Sequence, residues 1–223
     1  MFAEVAPTYE RVNHILTFGL DRRWRRAAAR WAAEGGGELW LDVCSGSGDM
    51  ARLLLRWADK GTRVIALDFC LPMLKKAVSP KRYMRPEPVA ADVRRLPFSD
   101  VTFDLVTVSF ATRNINLSRD ILEETFREFY RVLKPGGRFV NIETSQPRSR
   151  LLRRVFHAYV RAAVKPIGSR ISGSIPGYAY LASTIPRFYP PEGLVALLRS
   201  AGFSEVTWRR LSWGITAVHL AVK

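Results

Sequence analysis

Two periods of apolar residues run through this chain. Continuous short runs at 39–43, 64–67 and 103–109 read as buried strands, with weaker ones at 89–91 and 138–142. Between them, 49–58, 71–78 and 118–133 repeat their apolar residues every three to four positions, as helices packed by one face do. Ser118 stands where an N-cap belongs, and Pro135-Gly136-Gly137 ends that helix and turns the chain into the fifth strand. Strand, helix and strand in this order predict an α/β fold with a doubly wound, mostly parallel sheet. A helix at 191–201 follows, then strands at 203–209 and 213–222 with little between them. That makes a seven-stranded sheet with an antiparallel C-terminal hairpin at one edge.

Two segments leave this rhythm. The first 35 residues are helical in pattern, carry five arginines between positions 22 and 30, and end in a Gly35-Gly36-Gly37 hinge. The stretch 144–191 has no Asp or Glu in 48 residues. The chain therefore reads as one domain, 1–223, with an N-terminal helical cap at 1–35 and an inserted basic cover segment at 146–190. If 150–165 is one helix, Arg150, Arg153, Arg154, His157, Arg161 and Lys165 share an arc of about 120°. Leu151, Leu152, Val155, Phe156, Tyr159, Val160, Ala162 and Ala163 then take the other side. A helix of this kind suits the interface of an anionic membrane. The alternative is that its apolar face packs on the sheet and its arginines are solvated. Residues 169–190, with their glycines and prolines, read as a mobile continuation of the cover.

Composition sharpens the class. Of the 223 residues 48% are hydrophobic and 25% charged, enough for a core and against disorder. No apolar run reaches the roughly 18 residues of a membrane span, and the first ten residues lack the layout of a secretion signal. Cys44 and Cys70 are too few for a disulfide framework, which predicts a reducing, cytoplasmic setting. The 35 basic residues, 28 of them arginine, exceed the 20 acidic ones and leave a net charge of +15. Such a surface attracts nucleic acid or an anionic membrane.

The chemistry concentrates in Asp42-Val43-Cys44-Ser45-Gly46-Ser47-Gly48-Asp49, between a predicted strand and a predicted helix. Ligands of open α/β sheets bind at strand C-termini, and Gly46, Ser47 and Gly48 let a backbone approach one there. Asp68 closes the second strand 20 residues after Gly48, where a carboxylate accepts both hydroxyls of a ribose; Phe69 beside it belongs to the same site. Gly46-x-Gly48-x-x-Ala51 also fits the loose dinucleotide pattern, so NAD and S-adenosylmethionine both remain open on this turn alone. Asp42 on the strand side, where an amino-acid ammonium would meet it, favours the methyl donor over a pyrophosphate. Asp92-Val93 after the third strand adds a reader for adenine.

With these residues placed, the chain resembles the ubiquinone/menaquinone biosynthesis C-methyltransferases among the class I methyltransferases, whose sheet is Rossmann-like. Arg131-Val-Leu-Lys-Pro-Gly-Gly-Arg-Phe-Val-Asn-Ile-Glu143-Thr-Ser145 matches that family's second signature. Segment 2–24 resembles the first in Tyr9, Asn13, Phe18-Gly19 and Trp24, and departs from it at Glu10, Val12, Thr17 and Asp21. Leu96-Pro97-Phe98, Ser109-Phe110-Ala111-Thr112-Arg113-Asn114 and Gly214-Ile215-Thr216-Ala217-Val218-His219 are also family-like. The resemblance implies S-adenosylmethionine as cofactor, contacted by Ser47, Asp68, Asp92, Val93 and Ser109. It also implies methyl transfer to a carbon of a prenylated quinol, a demethylmenaquinol or ubiquinol precursor.

A sulfonium methyl needs an aligned nucleophile at roughly 3–3.5 Å, and a quinol carbon becomes one when its neighbouring hydroxyl, pKa ~10, loses a proton. Arg113 is the candidate for stabilising the phenolate, Asn114 its hydrogen-bonding neighbour, and Glu143 or a water relay the proton acceptor. Tyr9 and Asn13 are placed to close over both ligands. Plainer roles exist: Arg113 as a partner of an acid, Glu143 as a backbone cap, His14 and His219 as packing residues. No metal is called for. An RNA methyltransferase would suit the charge but lacks the Asn/Asp-Pro-Pro-aromatic cluster after strand four. The fold as a non-catalytic scaffold is the third reading. Expected partners are the quinol and an anionic membrane at the inner face, with nucleic acid disfavoured and a homodimer open.

Overall fold

The computed structural model describes Glu4, residues 6–79 and residues 85–223. Met1, Phe2, Ala3 and Val5, at the start of the first signature and of the segment read against a secretion signal, lie outside them. Two helices, α1 (Tyr9–Leu16) and α2 (Leu20–Ala33), precede the sheet. In α2 the residues Asp21, Trp24, Arg25, Ala28, Ala29 and Ala32 are buried at helical spacing, while Arg22, Arg23, Arg26 and Arg30 face solvent. The alanines let this helix lie close on the sheet.

The α/β unit follows as β1 (Leu39–Val43), α3 (Asp49–Trp57), β2 (Arg63–Asp68), α4 (Leu71–Ala77), β3 (Glu87–Ala90) and β4 (Phe103–Ser109). A single turn, α5 (Thr112–Ile115), leads to α6 (Arg119–Val132), and the Ser118 hydroxyl caps α6 by accepting the Ile121 N–H at 3.2 Å. Then comes β5 (Leu133–Thr144), which bulges at the Pro-Gly-Gly where its pairing with β4 shifts register. After the cover come α10 (Pro191–Ser200), β6 (Glu205–Leu211) and β7 (Thr216–Val222). The sheet order is β3-β2-β1-β4-β5-β7-β6; β1 to β5 are parallel, and β7 runs antiparallel to both β5 and β6. This is the expected seven-stranded, doubly wound architecture with its C-terminal hairpin at the edge.

Strand alternation feeds two cores. Leu41, Val43, Val106, Val108 and Phe139 meet Leu122, Phe126 and Phe129 of α6 on one face. Trp40, Val64, Ala66, Leu105, Val140 and Val218 meet α2, α3 and α4 on the other. The last strand begins at Thr216 rather than 213, because Ser212, Trp213 and Gly214 all take positive φ and form a turn. Likewise β6 starts at Glu205, since Phe203 still closes α10 through its N–H to Leu198 O at 3.2 Å.

The cover is mostly helix: α7 (Arg150–Tyr159), a π-helical turn at Val160–Val164, α8 (Lys165–Ser172) and α9 (Ile175–Thr184), closed by a short turn at Ile185–Arg187. The segment 169–190, expected as a continuation of the cover, is largely helical. Pro176 and Pro186 sit in first turns, where a missing N–H costs nothing. The π turn shifts the helical phase only for the residues that follow it, Lys165 onward. Ahead of that turn α7 is regular and two-sided as expected, but rotated from the expected orientation. Arg153 and His157 turn inward, to Pro147 O at 2.9 Å and Gln146 Oε1 at 2.8 Å. Leu151 and Val155, placed on the packed side by the wheel, are 72% and 57% exposed. Phe156, Val160 and Val164 pack inward against Val12 of α1.

Candidate active site

Beyond the C-terminal ends of β1 and β4 the strand order turns outward in both directions, and a cleft opens there. The turn after β1 uses left-handed backbone at Cys44, Gly46 and Gly48. A side chain at Gly46 would meet nothing within 4 Å, so that point of the turn lies open, whereas one at Gly48 would press on Ala77 Cβ at 2.7 Å. Asp68, ending β2, accepts the Gly46 N–H through Oδ2 and the Cys70 N–H through Oδ1, both at 2.8 Å. Burial raises its pKa, and these N–H groups, with that of Phe69, work against the rise.

The cleft, about 360 Å³, is lined by Asp68, Phe69, Asp92, Val93 and Ser109, together with Cys44, Arg94 and Leu117. Asp92 is held by Arg94, Nη2 to Oδ2 at 2.6 Å, which keeps its pKa below the usual range. Phe69 and Leu117 are exposed apolar groups on its walls.

Asp42, Gly46, Ser47 and Gly48 build the turn but do not line the cleft. Asp42 is 0% exposed and lies beneath it. Its Oδ1 accepts the Thr107 hydroxyl at 2.7 Å and its Oδ2 the Ala51 N–H at 3.1 Å, while burial pushes its pKa up to about 7. The carboxylate ties β1 to β4 and α3. Ser47 is buried with its hydroxyl 3.4 Å from Asp49 Oδ2. Residue spacing places these groups in one turn but does not orient them.

A second cavity, about 390 Å³, lies under the cover and brings together Tyr9, Asn13, Arg113, Asn114 and Glu143 among mostly apolar walls. Arg113 is 6% exposed, and its Nε and Nη1 find no partner among the described residues. The bond to Glu143 is made by the backbone instead: Arg113 N–H donates to Oε2 at 3.0 Å, while Oε1 accepts the Thr144 N–H at 2.8 Å and hydroxyl at 2.9 Å. Thr112 fixes the same turn, donating to Asn141 Oδ1 at 2.6 Å. Asn114 Oδ1 is also unpartnered.

Arg25, buried in α2, donates from Nη1 to Asp21 Oδ2 at 2.8 Å and from Nε to Ser109 Oγ at 3.1 Å, and its guanidinium lies 4.9 Å from the centre of the Phe110 ring. Asp21 also accepts the Thr17 hydroxyl at 3.0 Å and meets His14 Nδ1 at 3.1 Å. Burial alone would raise its pKa, but His14, Arg25 and Thr17 together hold it below the usual value. Tyr9 has its pKa raised by burial, against the pull of Arg25, the Asn13 hydrogen bond and Arg113.

The two cavities share a wall of Tyr9, Phe110 and Asn114. Phe110 takes φ +57°, a conformation that costs a residue with a side chain about 1–3 kcal/mol and is held here by its N–H to Ile142 O at 2.8 Å. Sequence reading passed over Asp21, Arg25, Phe110 and Tyr178. The first two carried a signal, since Asp21, Trp24, Arg25 and Ala28 share one helical face. Tyr178 carried none.

The description "ubiE/COQ5 methyltransferase family" belongs to a family model that matches residues 1–223. The chain is 38% identical over 222 residues to the demethylmenaquinone methyltransferase of Thermus thermophilus, covering 99% of this chain and 98% of that one. Among solved structures it is similar to an S-adenosylmethionine-dependent methyltransferase of Thermotoga maritima, with TM-score 0.65, 18% identity and full coverage of both chains. It is also similar to human N-acetylserotonin methyltransferase in complex with S-adenosylmethionine, with TM-score 0.65 and 18% identity over 97% of this chain and 57% of that one.

Proposed function

We infer that this chain, which belongs to the ubiE/COQ5 methyltransferase family, transfers a methyl group from S-adenosylmethionine to a ring carbon of demethylmenaquinol, in quinone biosynthesis. One observation carries the reading at the site: a cleft bordered by Asp68, Asp92 and Arg94 and a more apolar chamber of similar size meet at Tyr9, Phe110 and Asn114. A donor and a greasy acceptor held on either side of that wall would face each other across it.

The cleft's residues fit the donor. Asp68 takes the ribose hydroxyls beside the open Gly46 turn, Asp92 and Val93 read adenine, and Phe69 and Leu117 cover its faces. Bound S-adenosylmethionine supplies an electrophilic methyl. The chamber does the rest. Its apolar walls take the prenylated ring and exclude water, which strengthens every charge inside. Arg113 borders the chamber, two of its guanidinium nitrogens have no partner among the described residues, and it would stabilise the forming phenolate. Tyr9, a phenol in the same chamber, has its pKa raised by burial, with Arg25 and Arg113 pulling against the rise. An acceptor phenol in direct contact with Arg113 feels that pull more strongly. Glu143 borders the chamber with both oxygens engaged, so its part is to fix the turn that carries Arg113, and the proton leaves by water. An arginine does not take it, its own pKa lying above about 12.

The quinol's bilayer is reached at the chamber mouth. Val155, and Phe18 at 79% exposure with its ring 5.9 Å from Tyr159, stand there beside exposed Leu151. Arg150, Arg154, Arg161 and Lys165 are exposed along the same cover. Among the described residues no helix is long and apolar enough to cross a membrane, so the reading is contact with an anionic surface from one side.

The test is methyl-labelled S-adenosylmethionine with a short-prenyl demethylnaphthoquinol, with the corresponding benzoquinol, or with total RNA. Label in the naphthoquinol is expected. Label in RNA alone, or in nothing despite bound cofactor, overturns the assignment.

A further inference from the structure

Arg25, buried in the second turn of α2, borders the chamber as a guanidinium besides Arg113. A buried charge is costly unless it is paired and hydrogen-bonded. Asp21, one turn earlier, supplies the pair at 2.8 Å. Two further contacts leave the helix and reach consecutive residues at the end of β4. Nε donates to Ser109 Oγ at 3.1 Å, and the guanidinium carbon lies 4.9 Å from the centre of the Phe110 ring. Trp24, the neighbouring residue of α2, meets the same ring with centres 6.2 Å apart.

This is where the two cavities meet. Ser109 and Phe110 both border the cleft, and Phe110 also walls the chamber. Phe110 sits at φ +57°, a conformation that persists only where its surroundings hold it. The bond from its N–H to Ile142 O fixes the backbone, while the ring is met from α2 by Trp24 and Arg25. Asp21 is itself tied to the end of α1, accepting the Thr17 hydroxyl at 3.0 Å and meeting His14 Nδ1 at 3.1 Å. A continuous chain of contacts thus runs from the helix that carries Tyr9 and Asn13, through Asp21 and Arg25, to the wall between the cavities.

We propose that Arg25 is a positioning residue for methyl transfer: from α2 it grips the Ser109–Phe110 turn and so holds the wall across which the donor methyl and the ring carbon face each other. This rests on the reading of function given above. Transfer needs the reacting atoms aligned at roughly 3–3.5 Å, and a misplacement of about 1 Å can cost on the order of 100-fold. A slack wall slows the transfer without loosening either ligand.

The experiment measures Arg25→Lys, Phe110→Leu and the double variant with a short-prenyl demethylnaphthoquinol. Lysine keeps a positive charge beside Asp21, but one ammonium does not reproduce the fork that serves Asp21, Ser109 and the ring together. In each single variant kcat is expected to fall by about 10- to 100-fold, with the quinol KM and the S-adenosylmethionine Kd within about threefold of wild type. Because both changes slacken one wall, the double variant should lose no more than about threefold beyond the worse single one. An arginine that only stabilised α2 would lower Tm and multiply its loss with that of Phe110→Leu. Such a product, full kcat in either single variant, or a loss confined to KM overturns the proposal. A second readout needs no turnover: with para-fluorophenylalanine placed at position 110 alone, the fluorine NMR line should shift or broaden in Arg25→Lys. An unmoved line overturns the proposal. Should Arg25→Lys fail to fold, Ser109→Ala, which removes only the accepting oxygen, takes its place in the kcat and fluorine measurements with the same outcomes. Wild type that methylates no quinol would instead remove the functional assignment, and the fluorine line would still decide whether Arg25 holds the wall.

Discussion

Glu143 binds Arg113 through its backbone: Oε2 accepts the Arg113 N–H at 3.0 Å, while the guanidinium Nε and Nη1 find no partner among the described residues. An acid that neutralised this guanidinium would spend its field before any substrate arrived. Bound this way, the carboxylate fixes the backbone of Arg113 rather than pairing with Nε or Nη1.

Arg113→Lys keeps the charge but loses the planar fork of donors. Turnover should fall by about 100-fold, the usual cost of one oxyanion donor, with S-adenosylmethionine affinity unchanged. Steady-state rates beside calorimetric titration check this, and full turnover in the variant would remove Arg113 from the reaction.

Glu143→Gln presents an NH₂ to a site where three donors already point. An N–H left facing a donor costs about 1–3 kcal/mol, so the variant should melt several degrees lower, with cofactor affinity kept. Thermal denaturation decides, and an unchanged Tm means the carboxylate does not fix this turn.

Asp68→Ala removes the carboxylate that anchors both Gly46 and Cys70 and borders the cleft. Loss of hydrogen bonds to a charged acceptor should weaken S-adenosylmethionine binding by about 10- to 100-fold. Titration calorimetry that found the wild-type Kd would rule Asp68 out as the ribose acceptor.

His219 is buried in β7, its Nε2 3.0 Å from Pro191 O, and burial lowers its pKa from 6.5 to about 4. Between those values the unfolded chain binds a proton that the folded chain refuses. Its contribution is thus intact above pH 6.5 and lost as pH falls towards 4, by about 3 kcal/mol across the window. His219→Gln should flatten that part of the stability–pH curve in urea titrations. An equally steep curve in the variant would assign the slope to other groups.

Arg150 and Arg154 are exposed on α7 beside Leu151 and Val155. Replacing both arginines by Gln should weaken sedimentation with phosphatidylglycerol-rich vesicles by roughly 2 kcal/mol, about 1 per residue. Added salt should shrink the difference. Equal binding by the variant would mean that this face does not meet the bilayer.

The order of strands and helices, the glycine turn with Asp68 beyond it, and the family signatures were all legible in the chain, because each depends on neighbours a few positions apart. Period and spacing carry that kind of information well. Asp42 shows where they stop: the alternation of β1 puts it on one face, but the groups that hold its carboxylate, the Thr107 hydroxyl and the Ala51 N–H, come from other elements. Helical period gave the two sides of α7 but not their orientation: Arg153 and His157 bond inward while Leu151 and Val155 lie outside, because contacts with distant segments set how the helix is rotated. The common wall of Tyr9, Phe110 and Asn114, and Tyr178 lying on Gly168, needed segments far apart in the chain to close on one another. Which side chains share a cavity, and which of their polar atoms remain unpaired inside it, is settled by packing between distant elements, and no local pattern encodes it.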